Sequence, residues 1–169
     1  AVALNLGVKI KNIKKALSKF LGIQRRFTKV FSIGKREFYD DYAHHPTEIK
    51  AVIKSARDVY PNRKIICVFQ PHRYSRLKML KKEFSKSFIF SDQVILCPVY
   101  AAGEKIDKNF NLISFGNQIS KNSNVQVIIL KNEDELRKFM KKNLIKNEII
   151  IGMGAGSISN WIKELPKLL

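Results

Sequence analysis

Three segments of the chain concentrate side chains that can bind or move charge. The first, DDYAHHPTE, sets Asp40, Asp41, Tyr42, His44 and His45 directly before Pro46. A carboxylate at a strand end can hold a ribose hydroxyl or the water shell of a metal, and an imidazole can orient a polar substrate. The same residues also have a structural use, one Asp capping the following helix and one His packing under it. The second segment, QPHRYSR, places Arg73 and Arg76 three apart just after His72. That spacing puts both guanidiniums on neighbouring parts of one helical face. Together with a helix N-terminus they make a receptor for a carboxylate or phosphate, unless they are simply two solvated arginines of a basic protein. The third, GMGAGS, spaces Gly152, Gly154 and Gly156 between a strand and a helix. It is not a dinucleotide fingerprint: it follows the last strand, and no acidic residue stands about 20 positions later. Close strand–helix packing and a backbone approach to an anionic ligand both remain open. A further turn, PVYAAGE, carries Tyr100, Gly103 and Glu104 and reads as a structural turn with an acidic tip.

Other chemistries have little support. His44, His45 and His72 have no cysteine at metal-ligand spacing, so no metal site is expected. Ser75 and Ser157 lack the G-x-S-x-G elbow of a serine hydrolase.

Positioning these segments requires strands and helices in alternation. Strands are expected at Glu37–Asp41, Lys64–Phe69, Gln93–Cys97, Val125–Leu130 and Glu148–Ile151, with a preceding hairpin turning at Gly34-Lys35. Helices are expected at Pro46–Val59, Tyr74–Phe88, Ile113–Ser120, Leu136–Asn143 and Ser157–Leu165, and Asn132 and Glu135 look like a capping box. Runs such as IICVF, VILC, VIIL and IIIG are apolar throughout, as in parallel strands covered on both faces. The pattern predicts an α/β domain: a Rossmann-like, open, doubly wound, mostly parallel sheet with helices on both faces. In such a sheet the loops after successive strands gather outside the carboxyl edge, where ligands bind. Ahead of it, Ile13, Ala16, Leu17 and Phe20 recur at helical spacing and Gly22 ends the pattern as a cap would. Val2, Ala3, Leu4 and Leu6 read as the tail of an earlier helix, so the sequence is expected to start partway through a larger protein.

Composition narrows the classes. The chain has 169 residues, 45% of them apolar, enough for one domain. No apolar run approaches the roughly 20 residues of a membrane-spanning helix, and the start lacks the pattern of a signal peptide. Cys67 and Cys97 form no disulfide framework, which fits a reducing, cytoplasmic setting. The formal charge of +18 would suit a nucleic-acid binder. Yet 24 of the 32 basic residues are Lys, scattered through the chain without a compact arm or interleaved aromatics. Specific nucleic-acid recognition is therefore not expected; a non-catalytic module for polyanions remains the alternative from a different class.

Taken together, GIQRRF, DDYAHHPTEI, FQPHRYSR, VYAAGE and GMGAGSI resemble the C-terminal domain of the Mur ligase family, over essentially the whole length, and most closely its alanine-adding branch. Members that recycle a tripeptide share the DD-aromatic-AHHP motif without the His-Arg…Arg pattern and are the nearer alternative. The resemblance implies an ATP-dependent acid–amino-acid ligase of peptidoglycan biosynthesis in bacterial cytoplasm, joining L-alanine to UDP-N-acetylmuramate through an acyl phosphate. It implies that residues 1–24 are the tail of a central ATP-binding domain and 25–169 the amino-acid-binding domain. By motif, Tyr42, His44, His72, Arg73 and Arg76 would surround L-alanine, Arg26 would reach the ATP phosphates and Asp41 would contact the nucleotide. ATP and Mg2+ would be held mainly by the missing central domain, with the UDP-sugar on a further N-terminal domain. No G-x-x-G-K-[ST] occurs here, so this chain alone would be inactive.

Overall fold

The computed structural model describes residues 2–20, 22–143 and 147–167; the expected outer domain limits 1 and 169 lie outside them. Six strands pair in one sheet: β1 (Thr28–Ile33), β2 (Arg36–Asp41), β3 (Ile65–Phe69), β4 (Gln93–Leu96), β5 (Gln126–Ile129) and β6 (Ile149–Met153). Their order is β1-β2-β6-β3-β4-β5. Only the β1–β2 hairpin is antiparallel; every other neighbour is parallel. Gly34 turns that hairpin at φ +59°, a conformation that strains residues with a Cβ.

Every residue of β3 and β6 is buried, because each strand is paired on both sides and covered on both faces. One face carries Tyr39, Cys67, Phe69, Ile149 and Ile151. Against it pack Ile49, Ile53 and Ala56 of α3 (Pro46–Val59), Leu77 of α4 (Tyr74–Met79), Phe84 of α5 (Lys81–Ser85) and Phe115 and Ile119 of α6 (Leu112–Ser123). The opposite face carries Phe38, Ile66, Val68, Ile95, Cys97 and Ile150. It is covered by Leu136 and Met140 of α7 (Glu133–Asn143) and Ile158 and Ile162 of α8 (Ile158–Glu164). The two-residue period of the strands thus divides the apolar runs between two cores. Gly152 allows α8 to sit close: a Cβ there would lie 2.4 Å from Ile162 Cγ1.

Three expectations need correction. The helix read over Tyr74–Phe88 is two, broken at Leu80, whose φ −112° and ψ 26° leave the helical basin with no Pro or Gly to mark the place. The early helix, α2 (Ile10–Ser18), ends before Phe20, and Gly22 lies beyond its cap at Lys19. Before α7, Asn132 Oδ1 caps the Glu135 N–H as expected, but Glu135 reaches back to the N–H of Lys131 rather than that of Asn132. Neither α1 (Val2–Asn5) nor α2 buries a residue, and Leu17, Phe20 and Ile23 stand exposed.

The amino-terminal edge of the sheet is stitched by two arginines. Arg57 bonds Asp92 and the carbonyls of Phe90, Pro61 and Arg63. Arg63 bonds Glu37 and the carbonyls of Lys35, Asn147 and Glu148, tying the hairpin to the start of β6. Glu37 also accepts from Tyr39 Oη and pairs with Lys29, each at 2.8 Å. Lys29 and then Arg63 hold its carboxyl at about 2, below the usual 4.5. A carboxyl lowered on folding stabilises the fold above its unfolded pKa, and that contribution fades as pH falls toward the folded value. Glu37→Gln is therefore expected to lower unfolding free energy by about 1–2 kcal/mol at pH 7. In denaturant titrations the gap from wild type should shrink from pH 4.5 toward pH 2; a gap that stays constant would refute the assignment.

Candidate functional site

The carboxyl ends of β2, β6, β3, β4 and β5 line one edge, in the registers Asp41↔Met153, Phe69↔Met153, Phe69↔Leu96 and Leu96↔Ile129. The loops after β2, β3, β4 and β6 therefore meet there.

At the end of β2 the twin aspartates diverge. Asp40, 1% exposed, accepts from Ser159 Oγ of α8 at 2.5 Å and pairs with Arg25 Nε at 3.4 Å. Asp41, 2% exposed, accepts the N–H groups of Phe27 and Ala43, each at 2.7 Å. Burial pushes the Asp41 carboxyl up, and those two N–H donors oppose it. Neither aspartate caps α3. His45 does, its Nδ1 accepting from Thr47 N–H at 3.4 Å while Glu48 accepts the N–H groups of His44 and His45.

The segment 25–27 is held in a strained form, with φ +58° at Arg25 and +46° at Phe27. Phe27 stacks on Tyr39 with centroids 4.3 Å apart, and the Arg25 carbonyl accepts the Tyr42 N–H at 2.8 Å. Between them Arg26 is exposed, near enough to Asp41 and Glu48 to help lower both carboxyls, with no side-chain hydrogen bond or ion pair among the described residues.

From here a row of rings crosses the rim. Tyr42 meets His44 edge-on at 5.1 Å, His44 lies 5.6 Å from His72, and His72 stacks on Tyr100 at 5.6 Å. Hydrogen bonds assign the imidazole protons. His44 Nδ1 faces the Tyr42 carbonyl at 2.9 Å and must donate, which leaves Nε2 as the acceptor of the neutral ring. His72 Nδ1 faces Arg76 Nη1 at 3.1 Å and must accept, so the neutral ring carries its proton on Nε2. Burial, then the Arg76 cation, lowers the His72 pKa below 6.5. The two imidazoles thus offer one acceptor and one donor side by side.

Arg73 is exposed at φ +68° before α4, its side chain without a hydrogen bond or ion pair among the described residues. The loop after β4 holds it there: Arg73 N–H donates to the Tyr100 carbonyl at 2.9 Å, and Tyr100 N–H to the Pro71 carbonyl at 2.8 Å. Glu104 then bonds both the N–H and the hydroxyl of Ser75, anchoring the first turn of α4. The Tyr42, His44, His72, Arg73 and Arg76 expected at one site are therefore gathered on one rim, with Arg26 and Asp41 beside them. Sequence reading passed over Arg25 and gave Tyr100 and Glu104 only a structural turn; their parts depend on contacts between distant loops.

The glycine triplet resolves as close packing. A Cβ on Gly154, at φ +148°, would lie 2.7 Å from the Gln70 carbonyl. One on Gly156 would lie 2.5 Å from both Gln70 Oε1 and Tyr100 Cγ. Gln70 Oε1 in turn accepts the Ile158 N–H at 3.0 Å. Among the described residues no group of three or more His, Cys, Asp or Glu could hold a metal ion, and no helix is long and apolar enough to cross a membrane.

A family model described as "Mur ligase, glutamate ligase domain" matches residues 25–156, and the chain belongs to the Mur ligase family. It is 51% identical over all 169 residues to the UDP-N-acetylmuramate--L-alanine ligase of Pelagibacter ubique, and 39% to that of Rhizobium etli. It spans 36% of the length of each. Among solved structures, the UDP-N-acetylmuramate-alanine ligase MurC of Thermotoga maritima superposes with TM-score 0.76 at 26% identity, over 98% of this chain and 34% of that one. A murein peptide ligase of Psychrobacter arcticus shares the fold at TM-score 0.73 and 20% identity, over 98% of this chain and 34% of that one.

Two measurements check the rim. The His72 ring should titrate below 6.5 by NMR, and Arg76→Met should move its midpoint upward; an unchanged midpoint rejects the Arg76–His72 contact. Gly156→Ala must push Tyr100 or Gln70 aside and should cost about 1–3 kcal/mol of unfolding free energy. A neutral result would mean that the loops are not packed as described.

Proposed function

We propose that this chain is the amino-acid-presenting domain of an ATP-dependent ligase that joins L-alanine to UDP-N-acetylmuramate in the bacterial cytoplasm, with residues 1–24 belonging to a preceding ATP-binding domain. The observation that carries the reading is the single row of Tyr42, His44, His72, Arg73 and Arg76 along the carboxyl edge. The identity of 51% across the whole chain to a named alanine ligase supports it.

The row suits an amino acid. Arg73 and Arg76 supply cations for the α-carboxylate, and the Nε2–H of His72 adds a neutral donor on the same side. His44 Nε2 offers a lone pair to the α-amino group, which must be uncharged to attack. Tyr42 and Tyr100 wall the row with ring surface. ATP would activate the sugar carboxylate as an acyl phosphate, whose carbonyl carbon the amine attacks with release of inorganic phosphate. Arg26, exposed at the same rim, would meet phosphate oxygens. Asp41 has both oxygens engaged by backbone N–H groups, so a nucleotide contact through it requires residues 25–27 to shift. Among the described residues no group of three or more His, Cys, Asp or Glu could hold a metal ion, and the sequence carries no P-loop, which supports a reading in which ATP and Mg2+ are bound mainly by another domain.

These fixed charges act chiefly by holding the amine in attack geometry. In the parent enzyme, Arg73→Ala and Arg76→Ala should each raise the KM for L-alanine by about tenfold or more, with the KM for UDP-N-acetylmuramate little changed. Unchanged alanine kinetics would overturn the assignment. Ligation of a tripeptide but not of L-alanine would move the enzyme to the recycling branch.

A further inference from the structure

Arg25 makes three contacts through its guanidinium and one through its backbone. Its Nη2 donates to the Gly154 carbonyl at 2.5 Å, and its Nε lies 3.4 Å from Asp40 Oδ2. Its guanidinium carbon stands 4.8 Å over the Tyr42 ring, and its own carbonyl accepts the Tyr42 N–H. The side chain is only 24% exposed, whereas Arg26 beside it is open to solvent. Asp40 holds Arg25 as an ion pair, with no hydrogen bond at Arg25 Nε among the described residues. Its carboxylate is buried between β2 and α8, and Oδ1 has no hydrogen-bond partner among the described residues, so its charge is compensated by Ser159 on one side and Arg25 on the other. Loss of the cation would strand a buried charge.

Tyr42 is the first ring of the row and is 39% exposed, its hydroxyl making no hydrogen bond among the described residues. Its orientation is set by the guanidinium plane on one face and by the edge of His44. We propose that Arg25, clamped by Asp40, is a positioning residue that fixes the Tyr42 ring and through it the amino-acid pocket. The proposal rests on the reading of the ring row as the L-alanine site. Two adjacent arginines thereby take separate roles, Arg26 facing the phosphates and Arg25 joining the entering chain segment to the pocket wall. A lysine could keep the charge near Asp40 but lacks the planar fork that spans a carboxylate, a carbonyl and a ring at once.

The test uses the full-length parent enzyme and four variants: Arg25→Lys, Tyr42→Leu, their combination, and Asp40→Asn. Arg25→Lys should raise the KM for L-alanine about tenfold while kcat and the KM for ATP stay within about twofold. In the Tyr42→Leu background the same change should add less than about twofold, because its effect runs through the ring. Asp40→Asn, which keeps the shape and the Ser159 contact, should shift the alanine KM in the same direction and so decides the matter if Arg25→Lys folds poorly. Equal losses for alanine and ATP, an effect that multiplies fully in the Tyr42→Leu background, or an unchanged alanine KM in folded Asp40→Asn would each overturn the proposal. A wild-type enzyme that does not ligate L-alanine overturns the functional reading itself, a result distinct from any of these.

Discussion

The pleat at the end of β2 governs the rim. Neighbouring residues of a strand must point to opposite faces, so Asp40 and Asp41 cannot share one partner. Asp40 turns toward α8 and takes Arg25; Asp41 turns toward the face of Tyr39 and takes the N–H groups of Phe27 and Ala43. Two buried carboxylates thus clasp one short segment from both sides. Because the chain continues from Asp41 straight into Tyr42, the strand end that anchors the entering polypeptide also launches the ring row.

The arginines show how selectively guanidinium is used in a chain whose positive charge is mostly lysine. Arg57 and Arg63 each satisfy several carbonyls at the amino-terminal edge, where a planar fork can bridge loops that a lysine would touch at one point. Arg25 does similar work at the opposite edge. Arg26 and Arg73 keep their guanidiniums unpaired among the described residues of the rim, and each is held in or beside a strained backbone conformation. Cations without partners among the described residues, on backbone that costs free energy to hold, are the features on which the proposed anion contacts rest.

Much of this was legible in the sequence, for identifiable reasons. The apolar runs IICVF and IIIG announce strands covered on both faces, and they are the fully buried β3 and β6. Pro46 marks the start of α3 within a residue because its missing N–H has no place later in a helix. What escaped depends on tertiary contact. The break at Leu80 carries no local signature. His45, rather than an aspartate, caps α3, because Asp41 is taken by the N–H groups of Phe27 and Ala43 and Asp40 by Ser159 of α8. For Gly154 and Gly156 the sequence left close packing and ligand approach both open, and Gln70 and Tyr100, filling the space a side chain would need, decide for packing. Tyr100 and Glu104 gain their parts only when the loop after β4 is zipped to the loop after β3.

The two cysteines sit under different helical layers, Cys67 beneath α3 and α5 and Cys97 toward α7 and α8. Burial pushes each thiol up to about 12, so neither is a nucleophile while its layer stays shut. A thiol-reactive reagent must wait for a local opening, and the two sulfurs wait for different ones. The molecule therefore carries a built-in pair of clocks, one for each side of the sheet, whose relative rates tell which layer lifts away first.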